Sequence, residues 1–468
     1  MQTLHRLAII ALGTIAAHVT PASADWPNLG GTPGRTGLSV PTAAESPVIR
    51  WSGGRASIIA WHPVIEGDRV ILVRQTSFVP QGVPNDALVV CMSVTTGAEL
   101  WMKAVPYNSG DWTTTVFGVK NGRVYAGRSG NGNSVSAKLY CLDVTDGATL
   151  WMSAQPIATG PYDGIAFADD GDPIVGTHTY VRRIESTSGA TVWNTPRSCS
   201  VSGDCGPAVN GNFVYVDEVA AGGQIVTKID VTTGSKLYAT PVMPGFLTQT
   251  TPMVGPDGTV YYNRIQNNGI VDFFYCFDDN GASFTQRWKS ASGYAPSGGY
   301  GLGADGSVYV IGPAKEIQRL DGATGAILAF SAPIATASAI IQPHFAIDGA
   351  GKIYCSNGAF AEGHLYCFEA DLTPVWDVNY PAANQGGPTI AADGTLIIAG
   401  TGSDIRAYLA PPPQCVAADL DCDGTVGASD LAILLGAWGR CGRSCSADLD
   451  DDGSVGASDL ALLLGAWG

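Results

Sequence analysis

Between Trp51 and Trp376 the chain alternates short apolar runs with Gly-containing breaks on a steady rhythm. The run LVVCMSVTTGAELW (88–101) returns as LYCLDVTDGATLW (139–151), VRRIESTSGATVW (181–193) and VTKIDVTTGSKLY (226–238). Looser copies follow as FYCFDDNGASFTQRW (274–288), IQRLDGATGAILAF (317–330) and LYCFEADLTPVW (365–376). Taking the closing aromatic as the marker, units end at 51, 101, 151, 193, 238, 288, 330 and 376. Within each unit an apolar strand ends in a Gly or Asp-Gly turn, as in VIEGDRVILV, VGPDGTVYYN and AADGTLIIAG. A second and third strand follow, then Thr-Gly, then a fourth strand ending in Trp. Asp-Gly and Asn-Gly supply the positive φ angles that two-residue hairpin turns need. Four antiparallel strands in roughly 45 residues make one propeller blade.

Seven complete units lie between Trp51 and Trp376, and the remainder, 386–409, supplies three strands without a Trp-ending fourth. SPVIRW (46–51) is an orphan fourth strand. Joining the two closes the ring and leaves no open sheet edge at the seam. The expected fold is all-β, an eight-bladed β-propeller over 25–410, with seven blades if one loose unit is not a blade. The recurring Trp101, Trp151, Trp193, Trp288 and Trp376 are expected to pack between blades. Cys91, Cys141, Cys276 and Cys367 recur at one strand position and read as small buried apolar residues.

The first 24 residues stand apart. Met1 to Arg6 is positively charged, Leu7 to Val19 is apolar, and Ala22-Ser23-Ala24 has the small-residue form of a cleavage site. That layout is a secretory signal peptide rather than a membrane span. The mature chain is expected to be secreted, extracellular or at the cell surface. Eleven cysteines are then free to form disulfides, with Cys199 and Cys205 close enough in sequence for a local bridge. A net charge of −16 removes the electrostatic basis for nucleic-acid binding.

The acidity concentrates at the end, where residues 415–468 hold nine Asp against two Arg. A Pro-rich linker (411–418) leads into Asp419-Leu-Asp421-Cys-Asp423-Gly-Thr425-Val-Gly427-Ala-Ser-Asp430. The pattern repeats 29 residues later as Asp448-Leu-Asp450-Asp-Asp452-Gly-Ser454-Val-Gly456-Ala-Ser-Asp459. Each is a twelve-residue, EF-hand-like loop with carboxylates at positions 1, 3, 5 and 12 and a backbone carbonyl at position 7. That is a donor set for one Ca²⁺ per loop, hence two Ca²⁺ per chain. Each loop runs into an apolar helix, 427–439 and 456–468, expected to be capped by Ser429 and Ser458. Leu434, Leu435, Trp438 and their copies are expected to form a small core, supported by calcium and by disulfides among Cys415, Cys422, Cys441 and Cys445.

Two resemblances follow from these residues. The pattern Leu-Asp-x-x-Thr-Gly-x-x-x-Trp, opened by DWPNLGGTPGRTG (25–37), resembles the pyrroloquinoline-quinone-type propeller repeat over nearly all of 25–410. That family includes quinoprotein alcohol dehydrogenases and non-catalytic scaffold propellers, so it implies fold more than activity. The dehydrogenases hold their cofactor with adjacent cysteines, and this chain has no Cys-Cys pair and no Cys-x-x-Cys-His haem site. Those absences count against a quinone cofactor. Residues 419–468 resemble a type I dockerin, a small all-α domain of two calcium loops, which implies a cohesin-like or other cell-surface or extracellular protein as partner. The helices depart from that pattern in lacking basic residues.

No Gly-x-Ser-x-Gly, His-Glu-x-x-His or phosphate-binding loop is present. Residues just before the first strand of each blade should ring one mouth of the channel: Trp61, His62, Asp111, Trp112, Tyr162, Asp163, Asp204, Gln249, Ser297, Gln342 and Gln385. Aromatics beside amides and carboxylates suit a glycan or a protein loop. The reading is a secreted, non-catalytic propeller that binds protein or glycan and is anchored by its tail. The competing reading is a secreted enzyme, either a quinoprotein dehydrogenase or a polysaccharide-degrading propeller.

Overall fold

The computed structural model describes residues 26–77, 87–106, 113–129, 137–157, 164–199, 206–245, 251–264, 272–293, 299–337, 341, 343–358, 363–380, 386–410, 417–421, 425–440, 445–450 and 452–467. Among them are eight propeller blades, each a sheet of four antiparallel strands; the fourth blade gains a further short pairing from Met243–Pro244. Blades 1 to 7 follow chain order. Their first, innermost strands are Val64–Glu66, Thr113–Lys120, Ile165–Phe167, Ala208–Asn210, Met253–Val254, Tyr300–Leu302 and His344–Ile347. Blade 8 joins Thr389–Ile390, Leu396–Ala399 and Ile405–Tyr408 to Ile49–Ser52 from the other end of the propeller, with Ile49 opposite Tyr408 and Ser52 opposite Arg406. The ring is eight-bladed and closed as its sequence pattern predicts.

Blades have two buried faces, so their middle strands are mainly apolar and buried almost throughout, as in Arg69–Gln75 and Ala87–Ser93. Outer strands alternate instead, as in the Glu99–Ala104 pattern where only Trp101 is buried. What joins blade to blade is a repeated contact. On five outer strands a Trp lies over the turn before the outer strand of the next blade, and its indole N–H donates to a turn carbonyl. Trp51 reaches Val94 at 2.7 Å, Trp101 reaches Val144 at 2.9 Å and Trp151 reaches Ser186 at 2.8 Å. Trp193 and Trp288 do the same with Val231 and Gly322. The ring needs the turn glycine beneath it. A Cβ on Gly147 would sit 2.6 Å from the Trp101 ring, and its φ of +71° already suits only glycine well.

The strand position opposite four of the Trp residues is also shared. Cys91, Cys141, Cys276 and Cys367 pair with Trp101, Trp151, Trp288 and Trp376. All four are buried, and burial pushes their thiols up to about 12, which makes them inert filling.

Three junctions depart from the pattern. At the first, blade 4 to blade 5, Tyr238 takes the Trp place, its ring 5.1 Å from Phe284 and its hydroxyl donating to Asp279. Sequence spacing marks Phe330 as the closing aromatic of blade 6, but the register puts Ala329 in the Trp place, opposite Arg319, and Phe330 is 73% exposed. The facing turn of blade 7 compensates. Where the other turns have glycine it carries Leu372, buried, at a φ of +67°, and packed in one cluster with Ala329. A large residue facing glycine has become a small residue facing leucine. Trp376, next to the seam, meets no such turn; its ring lies against Tyr354 and Tyr408, each with centroids 6.0 Å away.

The tail has two short helices, α1 (Ala428–Gly436) and α2 (Ala457–Gly465), with a small strand pair placing Gly439 opposite Val455. Among the described residues no helix is long and apolar enough to cross a membrane.

The size exchange at the blade 6–blade 7 junction can be tested by a double-mutant cycle. Ala329→Trp alone should lower the denaturation midpoint, because the indole meets Leu372. Ala329→Trp with Leu372→Gly should recover most of the loss, with a coupling of about 1 kcal/mol or more between the two sites.

Candidate functional site

The inner strand of a propeller blade has one free edge facing the axis, and unpaired edges are costly to leave bare. Here residues 26–41 run round the axis and meet those edges blade by blade. Trp26 exchanges two backbone bonds with Ile65 of blade 1, and Pro27 accepts from Val119 of blade 2 at 2.8 Å. The Asn28 amide donates to Ile165 of blade 3 at 3.1 Å. The carbonyls of Pro33, Gly34, Thr36 and Gly37 then accept from Val209, Val254, Leu302 and Ile347 of blades 4, 5, 6 and 7, at 2.7–2.8 Å. The DWPNLGGTPGRTG opening is therefore an axial plug. Its glycines permit the close approach: a Cβ on Gly34 would lie 2.3 Å from the Val254 carbonyl, and one on Gly31 would lie 2.9 Å from the Trp26 ring.

The plug carries its own buried polar residues. Arg35, 3% exposed and at a φ of +61°, donates to the carbonyls of Pro207 at 2.7 Å and Leu29 at 3.1 Å. Trp26 stacks on His62 with centroids 6.0 Å apart, and His62 lies 5.2 Å from His344 of blade 7. Burial pulls His62 down to about 4; the carbonyls of Pro63 and Pro388 oppose this, and the Arg35 charge adds to it. Burial likewise holds His344 well below the usual histidine range, with His62 contributing. Both imidazoles are neutral at pH 7.

Of the predicted mouth residues, His62 thus belongs to the buried plug contact. Trp61 is buried between blades 1 and 2, its indole donating to Thr113 at 2.8 Å. Asp111, Trp112, Tyr162, Asp163, Asp204, Gln249, Ser297, Gln342 and Gln385 lie outside the described residues. At the opposite mouth, where first and second strands turn, a pocket of about 410 Å³ is lined by Pro33, Leu38 and Val40 of the plug with Val209, Val254 and Pro256. Sequence reasoning missed this pocket, since only the plug brings those residues together.

In the tail, the carboxylates of Asp419, Asp421 and Asp430 come within 4.8 Å of one another, as do those of Asp448, Asp450 and Asp452. Asp423 lies outside the described residues. The position-12 residues also organise the loops. Asp430 is buried and accepts from the backbone N–H groups of Leu420 at 2.6 Å, Asp421 at 3.1 Å and Gly427 at 2.7 Å. Asp459 repeats this with Leu449, Asp450 and Gly456. These bonds, that of Gly427 or Gly456 foremost, hold both carboxyls below the usual range. The helix caps are Gly427 and Gly456 rather than Ser429 and Ser458, because the aspartate one turn in binds the cap N–H. Oxygen-rich clusters of this kind fit a hard divalent cation such as Ca²⁺.

The small core differs from expectation. Leu434 and Leu463 are buried, packed with Val426, Val455, Ala418 and Ala447. Leu435, Trp438, Leu464 and Trp467 are instead about half exposed, at 51%, 50%, 52% and 45%. Nine-residue helices that pack mainly through one leucine each cannot cover a longer apolar stripe. Cys205, Cys415, Cys422 and Cys441 lie outside the described residues.

A family model described as outer membrane protein assembly factor BamB matches residues 85–328. No curated protein matches the chain. Among solved structures, BamB from Moraxella catarrhalis is similar at 17% identity and a TM-score of 0.54, over 77% of this chain and 96% of that one. The quinohemoprotein alcohol dehydrogenase ADHIIG from Pseudomonas putida HK5 is similar at 12% identity and a TM-score of 0.52, over 84% and 82%. The C-terminal WD40 domain of Sif2 reaches a TM-score of 0.52 at 10% identity, over 79% and 99%. At these identities the likeness is one of fold.

The buried histidines set a pH dependence. Each binds its proton more weakly in the folded ring than in the unfolded chain, where histidine titrates near 6.5. Stability is therefore full above about pH 6.5 and falls as the pH drops through the folded values, from 6.5 towards 4. Thermal midpoints measured across that window should fall with acid, and His344→Gln should flatten the slope.

Proposed function

Because this chain belongs to the family of the outer membrane protein assembly factor BamB, we propose that it is a non-catalytic binding propeller, exported from the cell and anchored or assembled through a calcium-loaded, dockerin-like tail. The observation that carries the reading is the axial plug. The centre of the ring, where a propeller could hold a small substrate, is occupied by the chain's own residues 26–41, with Asn28 and Arg35 bonded to the surrounding blades. Binding then falls to the faces and rims, which suits a protein or a glycan better than a small molecule. The rim residues Asp111, Trp112, Tyr162, Asp163, Gln249, Gln342 and Gln385 would supply aromatic and amide contacts at one mouth. A family named for an assembly factor favours a partner protein over a substrate.

The tail is read as the attachment module. Two Ca²⁺ ions, one per loop, would order loops whose carboxylates otherwise repel one another. Asp419, Asp421, Asp423 and Asp430 would hold the first, and Asp448, Asp450, Asp452 and Asp459 the second. The half-exposed Leu435, Trp438, Leu464 and Trp467 offer a cohesin-like or other extracellular protein an apolar face flanked by the loops. The leader at 1–24 supports export, where calcium is abundant.

Calorimetric titration of the metal-stripped full chain should show two Ca²⁺ sites. Asp421→Ala and Asp450→Ala should each remove one site and leave the propeller's melting transition in place. No calcium uptake by the unaltered chain would remove the tail from this reading and leave the propeller proposal standing alone.

A further inference from the structure

An arginine edge carrying Nε and Nη2 points two parallel N–H groups at one acceptor pair, the geometry that matches both oxygens of a carboxylate or two of a phosphate. At two exposed or half-buried arginines of this chain that edge is filled by a carboxylate. Arg55 meets both oxygens of Glu99, at 2.6 and 2.9 Å, and Arg406 meets both oxygens of Asp404 at 2.8 Å. Arg74 is different. It lies near the end of the second strand of blade 1 and crosses to blade 8, where Nη1 donates to the Gly400 carbonyl at 2.7 Å. Its Nε and Nη2, the two nitrogens of the pairing edge, are sealed from solvent without a partner, and the residue is only 2% exposed.

The surrounding charges leave this cation unmatched. Asp404 is the carboxylate close enough to favour the charged guanidinium, and both of its oxygens are committed to Arg406. Tyr380, the other neighbour, directs its hydroxyl at the carbonyls of Ile398 and Asp404. Arg74, Arg406 and Asp404 together carry one net positive charge, and Arg74 itself is buried, an expensive arrangement unless an anion completes it. We propose that the Nε/Nη2 edge of Arg74 binds a small oxyanion, either a carboxylate or a tetrahedral phosphate- or sulfate-type group, between blades 8 and 1.

The location gives the site a purpose. Blade 8 is sewn from the two ends of the propeller, and the chain leaving it towards blade 1 is tied back by paired backbone bonds between Ser57 and Gly402 at 2.9 and 2.7 Å. An oxyanion on Arg74 would add a charged tie across the same junction, at the point where the ring is joined rather than continuous.

The test uses the purified full chain and titrates sodium acetate, phosphate or sulfate against chloride at matched ionic strength. The thermal midpoint is read alongside calorimetric binding of the same anion. A midpoint rising with the logarithm of anion concentration, with one anion bound, is the expected result. Acetate against phosphate and sulfate separates a carboxylate site from a tetrahedral one. Arg74→Met should abolish the effect; should it fail to fold, Arg74→Lys carries the test. Arg74→Lys keeps the charge but lacks the paired edge, and should weaken apparent affinity at least tenfold. No rise above chloride with any of the three anions, or an unchanged rise in Arg74→Lys, overturns the proposal.

Discussion

Five of the eight blade junctions in this propeller depend on an indole ring lying on a glycine. A blade is a twisted sheet with two apolar faces, and it holds its place only if its neighbours fix the angle between them. Here the angle is set by Trp on one outer strand covering the turn of the next blade, with a hydrogen bond to fix the ring and a glycine to admit it. The contact combines broad apolar burial with one directional bond, so it both stabilises and aligns. The Ala329–Leu372 junction shows that the volume must be conserved even where the chemistry is not. The thiols opposite the Trp rings, held neutral by burial, act as filling of the same kind.

Short-range features were legible in the sequence. Thr-Gly before Trp repeats because turn, glycine and ring form one local unit, and the orphan strand at 46–51 could be paired with 386–409 by counting strands. Features that depend on register or on long-range threading were not. Phe330 reads as the blade-closing aromatic because composition cannot distinguish a residue from its neighbour, while one position along a strand reverses the face. The plug was visible as DWPNLGGTPGRTG but not as a plug, since its partners lie from 39 to more than 300 residues away. In the tail, the spacing of the repeated acidic loops was plain. The exposure of Trp438 and Trp467 was not, because an apolar stripe in sequence does not say what covers it.

The two ends of the molecule use charge in opposite ways. Acidic groups gather in the tail, where backbone N–H groups and, in the reading given above, calcium hold them. Towards the axis and the seam the charges are Arg35 and Arg74, buried and bonded to carbonyl oxygens. A strongly acidic protein has thus placed two of its buried cations on the plug and at the seam, where solvent cannot screen them.

The plug also fixes an order of events. Residues 26–41 emerge first, yet their partners are spread through Ile65, Val119, Val209, Val254, Leu302 and Ile347, so the earliest residues are the last to be placed. Blade 8 imposes the same delay, as Ile49–Ser52 must wait for Ile405–Tyr408. Individual blades can assemble from nearby strands as the chain lengthens, but the ring and its axis can be finished only when synthesis has passed Tyr408. The act that closes the ring is the return of the chain's beginning to its end.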